Sequence, residues 1–252
     1  MKTLRFLLNF KKICVNIIGE NIRKRYMRAR RKRNLDQRIE QYSDYLIIVK
    51  SEDLNFATCG DVKEYFDFEE IFGNTNPVEL EIGCGKGQFV CEIAKRNPNK
   101  NYLAVEKSSN VIVDACKKAQ EMGLSNVRFV KCSAEYLIRY IPAKSIGMIY
   151  LNFSCPYPKN TYASHRLTSE RFLGIYKVIM ADGAEIHQKT DNQKLFEFSL
   201  EKLSQNGFML KNISLDLHKS SFKDNIVTEY EARFAEQGLP IYRLEATPAK
   251  EV

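Results

Sequence analysis

Residues 78–87 read Val78-Glu79-Leu80-Glu81-Ile82-Gly83-Cys84-Gly85-Lys86-Gly87, and this stretch decides the fold. Val78 to Ile82 has the length and apolar content of a buried strand, three alternating glycines close it, and helical spacing runs from Gly87 to Arg96. Glycines there let the backbone turn tightly and bring its amides against a ligand, which side chains would obstruct. Downstream, Tyr102 to Val105, Val127 to Val130 and Ile146 to Leu151 read as further strands, separated by helical spacing over Asn110 to Met122 and Ala134 to Tyr140. Such alternation predicts an α/β domain, a mostly parallel sheet with helices on both faces. The second half predicts a helix over Thr168 to Met180, a strand over Ala184 to Lys189 and a helix over Asn192 to Ser204. Two strands, Phe208 to Leu217 and Ile241 to Ala246, then flank a helical stretch from Thr228 to Glu236. Upstream, Leu35 to Lys50 reads as a helix followed by a short extended piece, and residues 51–76 as an acidic connection without clear period.

The glycine turn also bears on the cofactor. The second strand ends in Glu106, where a carboxylate can accept both hydroxyls of a ribose. A dinucleotide site would show GxGxxG and seat a pyrophosphate on the helix N-terminus. Here the spacing is GxGxG with Glu81 two residues before the first glycine; that acid repels a pyrophosphate and suits the ammonium of S-adenosylmethionine.

Composition narrows the class. The 252 residues carry 39 Lys+Arg against 31 Asp+Glu, a formal +8, and 44% are apolar, enough for one substantial core. No stretch approaches the roughly 18 apolar residues of a membrane-spanning helix. The seven cysteines (14, 59, 84, 91, 116, 132 and 155) include no CxxC pair and no His at metal-ligand spacing, so no metal is expected and a reducing, cytoplasmic setting is. The positive charge is not spread evenly. Through residue 33 the chain has twelve basic residues and one acid, whereas the remainder is net −3. An arm over residues 1–33 is expected to contact the phosphates of a polyanion, since each Lys or Arg near a phosphate releases a counterion. Residues 34–252 are expected to form a single domain with a lead-in to about 76.

Several separated motifs together resemble the bacterial tRNA (guanine-N7)-methyltransferases. They are Met27-Arg28-Ala29-Arg30-Arg31-Lys32, the turn Glu81 to Gly87, Leu151-Asn152-Phe153-Ser154-Cys155-Pro156-Tyr157-Pro158-Lys159, Lys189-Thr190-Asp191-Asn192 and Thr228-Glu229-Tyr230-Glu231. The resemblance runs from about Met27 to Leu244, leaving residues 1–26 outside it. It implies a Rossmann-like class I methyltransferase sheet of seven strands with one antiparallel final strand, S-adenosyl-L-methionine as cofactor, and tRNA as partner, the chain acting as monomer or homodimer. It assigns Glu81, Gly83, Gly85, Gly87, Glu106, Ser133 and Cys155 to the cofactor, and Lys159, Asp191, Thr228 and Glu231 to the guanosine. Two positions depart from the pattern: Ser133 stands where the family commonly has an acid near the adenine, and Cys155 replaces the aspartate of Asp-Pro-Trp-Pro, the position to which the resemblance gives the catalytic role.

Guanine N7 presents an in-plane lone pair, so methyl transfer needs alignment rather than a general base, and the loss of one orienting carboxylate leaves a working scaffold. Two alternatives stay open at this level: a non-catalytic tRNA-binding paralogue that lost turnover through Cys155, and an amino-group methyltransferase, since Ser154-Cys155-Pro156-Tyr157 faintly resembles the loop that holds an exocyclic amine. Tyr157 reads either as a stacking shelf or as a cap on the sheet edge. His165 and Arg166 read as a phosphate patch or a solvated loop, and His187 and His218 as structural.

Overall fold

The computed structural model describes residues 31–49 and 63–249. The chain divides into two units, residues 1–35 and 36–252, and the sheet belongs to the second. Most of the basic arm, Cys14, Cys59 and much of the acidic connection lie outside the described residues.

Eight described strands form one sheet: β1 (Leu46–Ile48), β2 (Val78–Ile82), β3 (Asn101–Glu106), β4 (Val127–Lys131), β5 (Ile146–Asn152), β6 (Met180–Thr190), β7 (Phe208–Ser214) and β8 (Tyr242–Pro248). Their order is β1-β4-β3-β2-β5-β6-β8-β7. The expected seven strands are therefore eight. The addition is β1, three residues that pair in parallel with the free edge of β4, Leu46 opposite Phe129 and Ile48 opposite Lys131. So short an extended piece becomes a strand only where an open edge supplies its hydrogen bonds. The single antiparallel strand is β8, as expected; it lies between β6 and β7 and pairs antiparallel with both.

The period-2 pattern of β2 sorts the two faces. Leu80 and Ile82 are buried in one cluster with Ile149, Leu151, Phe172, Leu173 and Tyr176, the last three from the helix Glu170–Ile179. Full burial of such side chains contributes about 1.5–3 kcal/mol each. The alternate residues of β2, Glu79 and Glu81, are also buried and point to the other face, beside Phe89 and Tyr150, whose rings lie 4.9 Å apart. Glu79 is met there by the Tyr150 hydroxyl at 2.7 Å and Lys100 Nζ at 2.6 Å.

The chain steps from β2 to β3 and β4 on one side, then returns to place β5 on the other side of β2. Connections from β2 and β5 therefore diverge to opposite faces, and the crevice beyond their carboxyl ends is where open α/β sheets bind ligands.

Candidate active site

Two adjoining cavities open at that crevice, of about 280 and 330 Å³, sharing Gly83 and Phe153. The first reaches past Glu106 to Ser133 and Glu135 and is bordered by Cys155 and Tyr157. The second holds Glu81, Gly85, Asn152, Thr228 and Tyr230.

The glycine turn divides by role. Gly83 and Gly85 have φ of +82° and +56°, and a Cβ on either would meet nothing within 4 Å, so both leave open space against the cavities. Gly87 is different: its φ is +74°, and a Cβ would fall 2.7 Å from that of Ala115 on the helix Ser109–Glu121. Gly87 lines neither cavity and permits close helix packing instead.

Two carboxylates flank the turn. Glu106, the last residue of β3, accepts from the Ser108 amide at 2.9 Å and the Gly85 amide at 3.3 Å, which fixes its carboxylate at the first cavity. Glu81 accepts from Asn152 Nδ2 at 3.0 Å through Oε1, while its Oε2 is buried with no hydrogen-bond partner. Burial pushes the Glu81 carboxyl up to about 7, opposed by the Asn152 bond, by the charge of Lys189 and by the nearby Val90 backbone amide, which does not reach hydrogen-bond geometry with Oε2. An unmet buried acceptor beside an open glycine turn fits a cationic ligand, which would favour its ionised form. These are the features an S-adenosylmethionine site needs: an acceptor for the ammonium at Glu81, one for the ribose at Glu106, and room over Gly83 and Gly85.

The loop after β5 carries backbone strain into the same place. Phe153 has φ +51° and Tyr157 φ +41°, both in the left-handed region that such residues rarely adopt. The Phe153 amide bonds the Lys189 carbonyl at 2.8 Å, and its ring lies 5.1 Å from that of Tyr230. Tyr157 borders the first cavity beside the His165 ring. Arg166 is neither a phosphate ligand nor part of a solvated loop. It is buried, its Nε and Nη2 donate to the Pro156 and Tyr157 carbonyls at 3.0 Å each, and its guanidinium lies 4.4 Å from the Phe198 ring centre. It clamps the strained loop.

The residues expected to meet the guanosine separate. Lys159 is exposed at the head of a short 3-10 turn and lines neither cavity. Asp191 is half-buried just beyond β6. Thr228 borders the second cavity and caps the helix Glu229–Ala235, its hydroxyl accepting from the Glu231 amide at 3.1 Å. Glu231 turns inward and is fully buried. Its carboxylate receives Lys189 Nζ at 2.8 Å, Asn225 Nδ2 at 2.5 Å and His218 Nε2 at 3.1 Å. Lys189 Nζ also donates to Asn225 Oδ1 and the Ile226 carbonyl, both at 2.9 Å. Lys189 and Glu231 thus tie the segment 218–231 to the end of β6.

Sequence reasoning missed Asn152, Phe153 and Tyr230 as site residues. Asn152 ends the strand beside β2 and Phe153 follows it, at the rim where ligands bind, and that position was the available signal. Tyr230 offered only its place in the motif Thr228-Glu229-Tyr230-Glu231, since its contact with Phe153 joins distant segments. Among the described residues Glu185, His187 and Glu245 form the one His/Cys/acid cluster close enough to hold a metal ion. Lys211, Arg243 and Asn212 already pair with its carboxylates.

Comparison with known proteins adds three kinds of match. A family described as "Putative methyltransferase" matches residues 75–244. A protein of Clostridioides difficile named tRNA (guanine-N(7)-)-methyltransferase is 40% identical over 220 residues, 87% of this chain and 98% of that one. Proteins of the same name from Bacillus cytotoxicus and Listeria monocytogenes are 42% and 48% identical, over 87% and 71% of this chain and 96% and 84% of theirs. Among solved structures, a 16S rRNA methyltransferase aligns with TM-score 0.55 at 16% identity, covering 75% of this chain and 96% of its own. An antibiotic-related methyltransferase aligns with TM-score 0.52 at 20% identity, covering 78% and 94%. Likeness at those identities speaks for the fold.

Proposed function

This chain belongs to the tRNA (guanine-N7)-methyltransferase family, and from that premise we infer that it transfers a methyl group from S-adenosyl-L-methionine to N7 of a guanosine in tRNA. The observation that carries the reading at the site is the unmet Glu81 Oε2 beside the open turn at Gly83 and Gly85. When bound, the cofactor supplies an electrophilic methyl on a sulfonium. Everything else falls to the protein: Glu81 receives the ammonium, Glu106 the ribose hydroxyls, and the strained loop at Phe153 to Tyr157 shapes the place where the guanine edge arrives. Because N7 offers its lone pair directly, no residue has to remove a proton before transfer; the protein supplies alignment and water exclusion. Cys155, at the family's acid position, then serves as a small wall of the first cavity.

Lys159, Asp191 and Thr228 are the proposed guanosine contacts, and the basic arm the proposed phosphate contact. Glu231 supports them from behind, since its carboxylate is taken up by Lys189, Asn225 and His218. Neither the non-catalytic nor the amino-group alternative is favoured by relatives named for N7 chemistry. A cytoplasmic setting is supported by the unbridged thiols of Cys84, Cys91 and Cys116. The test is nucleoside mass spectrometry after incubating the full chain with unmodified tRNA and S-adenosylmethionine. The reading expects 7-methylguanosine; a methyl on an exocyclic amine, or no methylated nucleoside, overturns it.

A further inference from the structure

The loop between β5 and the helix Glu170–Ile179 carries three rings in succession. The Tyr157 and His165 rings lie 5.6 Å apart and the His165 and Tyr162 rings 6.0 Å, both pairs tilted. Tyr157 and His165 border the first cavity, whereas Tyr162 lines neither cavity and is 49% exposed. The row therefore starts at the mouth of the crevice and leads out onto the surface.

Its backbone is fixed at several points. Pro156 and Pro158 flank Tyr157, whose own φ is +41°. In the 3-10 turn Asn160–His165 the Tyr162 amide donates to the Lys159 carbonyl at 3.0 Å, and the following Arg166 amide to the Ala163 carbonyl at 3.1 Å. Ser169 Oγ donates to the Ser164 carbonyl at 2.9 Å, and the buried Arg166 side chain holds the Pro156 and Tyr157 carbonyls. Residues 157–165 contain one lysine and no acid, so this surface offers ring faces rather than a field of charge.

A guanosine whose N7 has entered the crevice has left its stack, and the bases beside it then show faces that were covered before. Aromatic side chains held in place take up such faces at little ordering cost. We propose that Tyr157, His165 and Tyr162 form a stacking platform for an unpaired base beside the target guanosine, with the exposed ring of Tyr162 as its outer contact. The loop thus recognises the RNA strand as open by its base faces, and leaves phosphate charge to Lys and Arg elsewhere.

This rests on the reading that the chain acts on tRNA, and the experiment keeps the two apart. The full chain and its variants are titrated over a series of KCl concentrations with unmodified tRNA, with a short guanosine-containing single-stranded RNA, and with the same sequence as a duplex. Thermal unfolding and S-adenosylhomocysteine binding confirm that each variant is folded with its cofactor site intact. Tyr162→Leu should bind the single strand and the tRNA at least about fivefold more weakly than wild type. Its affinity for the duplex and its slope of log affinity against log salt should stay at the wild-type values, because no phosphate contact is lost. Tyr162→Phe should match the wild type, and Tyr162→Trp should bind the single strand at least as tightly. Wild-type affinity in Tyr162→Leu, an equal loss on strand and duplex, a shallower salt slope, or a loss in Tyr162→Phe as large as in Tyr162→Leu overturns the platform while the tRNA reading stands. A wild type that binds neither the tRNA nor the single strand overturns the tRNA reading itself.

Discussion

Glu81 and Glu231 are both buried carboxylates, both close enough to Lys189 to feel its charge, yet one belongs to a site and the other to the framework. Glu231 is saturated by Lys189, Asn225 and His218. Glu81 keeps one oxygen unmet, and burial lifts it to about 7. A buried acceptor whose partners are all supplied by the chain stabilises the fold, whereas one left short costs free energy until something arrives to complete it. The contrast also divides the glycines: Gly83 and Gly85 face space, Gly87 faces Ala115.

The most damaging way to probe the contrast is Glu231→Ala, which strands Lys189 in the interior. A loss of about 3–5 kcal/mol in denaturant unfolding is expected. A stable Glu231→Ala protein would show that the pair is dispensable and the segment 218–231 held otherwise.

Acidity separates the two carboxylates next. The folded chain holds a proton on Glu81 up to about 7, whereas the ordinary value is 4.5. Between those values the folded state binds more protons than the unfolded one, so stability falls as pH rises through that window. The loss attributable to Glu81 is on the order of 3 kcal/mol. Ligand-free wild type should lose more stability than Glu81→Gln between pH 5 and pH 8, and parallel pH–stability curves would contradict the open acceptor.

Among the glycines, Gly87→Ala should cost roughly 1–3 kcal/mol of stability through the clash with Ala115. Gly83→Ala, strained but facing space, should cost about 1 kcal/mol in thermal unfolding while weakening cofactor binding by roughly tenfold or more. The reverse assignment of the two effects would break the division of the turn.

The smallest effect is expected at Cys155. Restoring a carboxylate with Cys155→Asp should raise single-turnover methylation by roughly tenfold, near 1.4 kcal/mol. No gain would mean that alignment is already complete without it.

Much of the fold was legible because strand, glycine turn and helix are written locally: β2 to β6 lie where apolar runs and helical spacing alternate. What escaped depends on pairing at a distance. Three residues, Leu46–Ile48, became a strand because β4 left an edge free, and β8 slots between β6 and β7, which no local pattern announces. In the site, Glu81 and Glu106 were readable from their places at strand ends, as the site's rim is fixed by the sheet. Glu231 and Arg166 were not, because a charged letter does not show whether its charge is met. Arg166, which the sequence leaves open between a phosphate patch and a solvated loop, spends its donors on the Pro156 and Tyr157 carbonyls. Glu231 met partners from three separate segments.

The central claim, that an unmet acceptor marks the cofactor site, is tested most directly by titrating Glu81→Gln and Glu231→Gln with S-adenosylhomocysteine side by side, at a temperature where both are folded. The account predicts that Glu81→Gln binds at least about tenfold more weakly than wild type while unfolding no earlier, and that Glu231→Gln unfolds earlier while binding with near wild-type affinity. Undiminished binding by Glu81→Gln, or a loss of binding confined to Glu231→Gln, would contradict it.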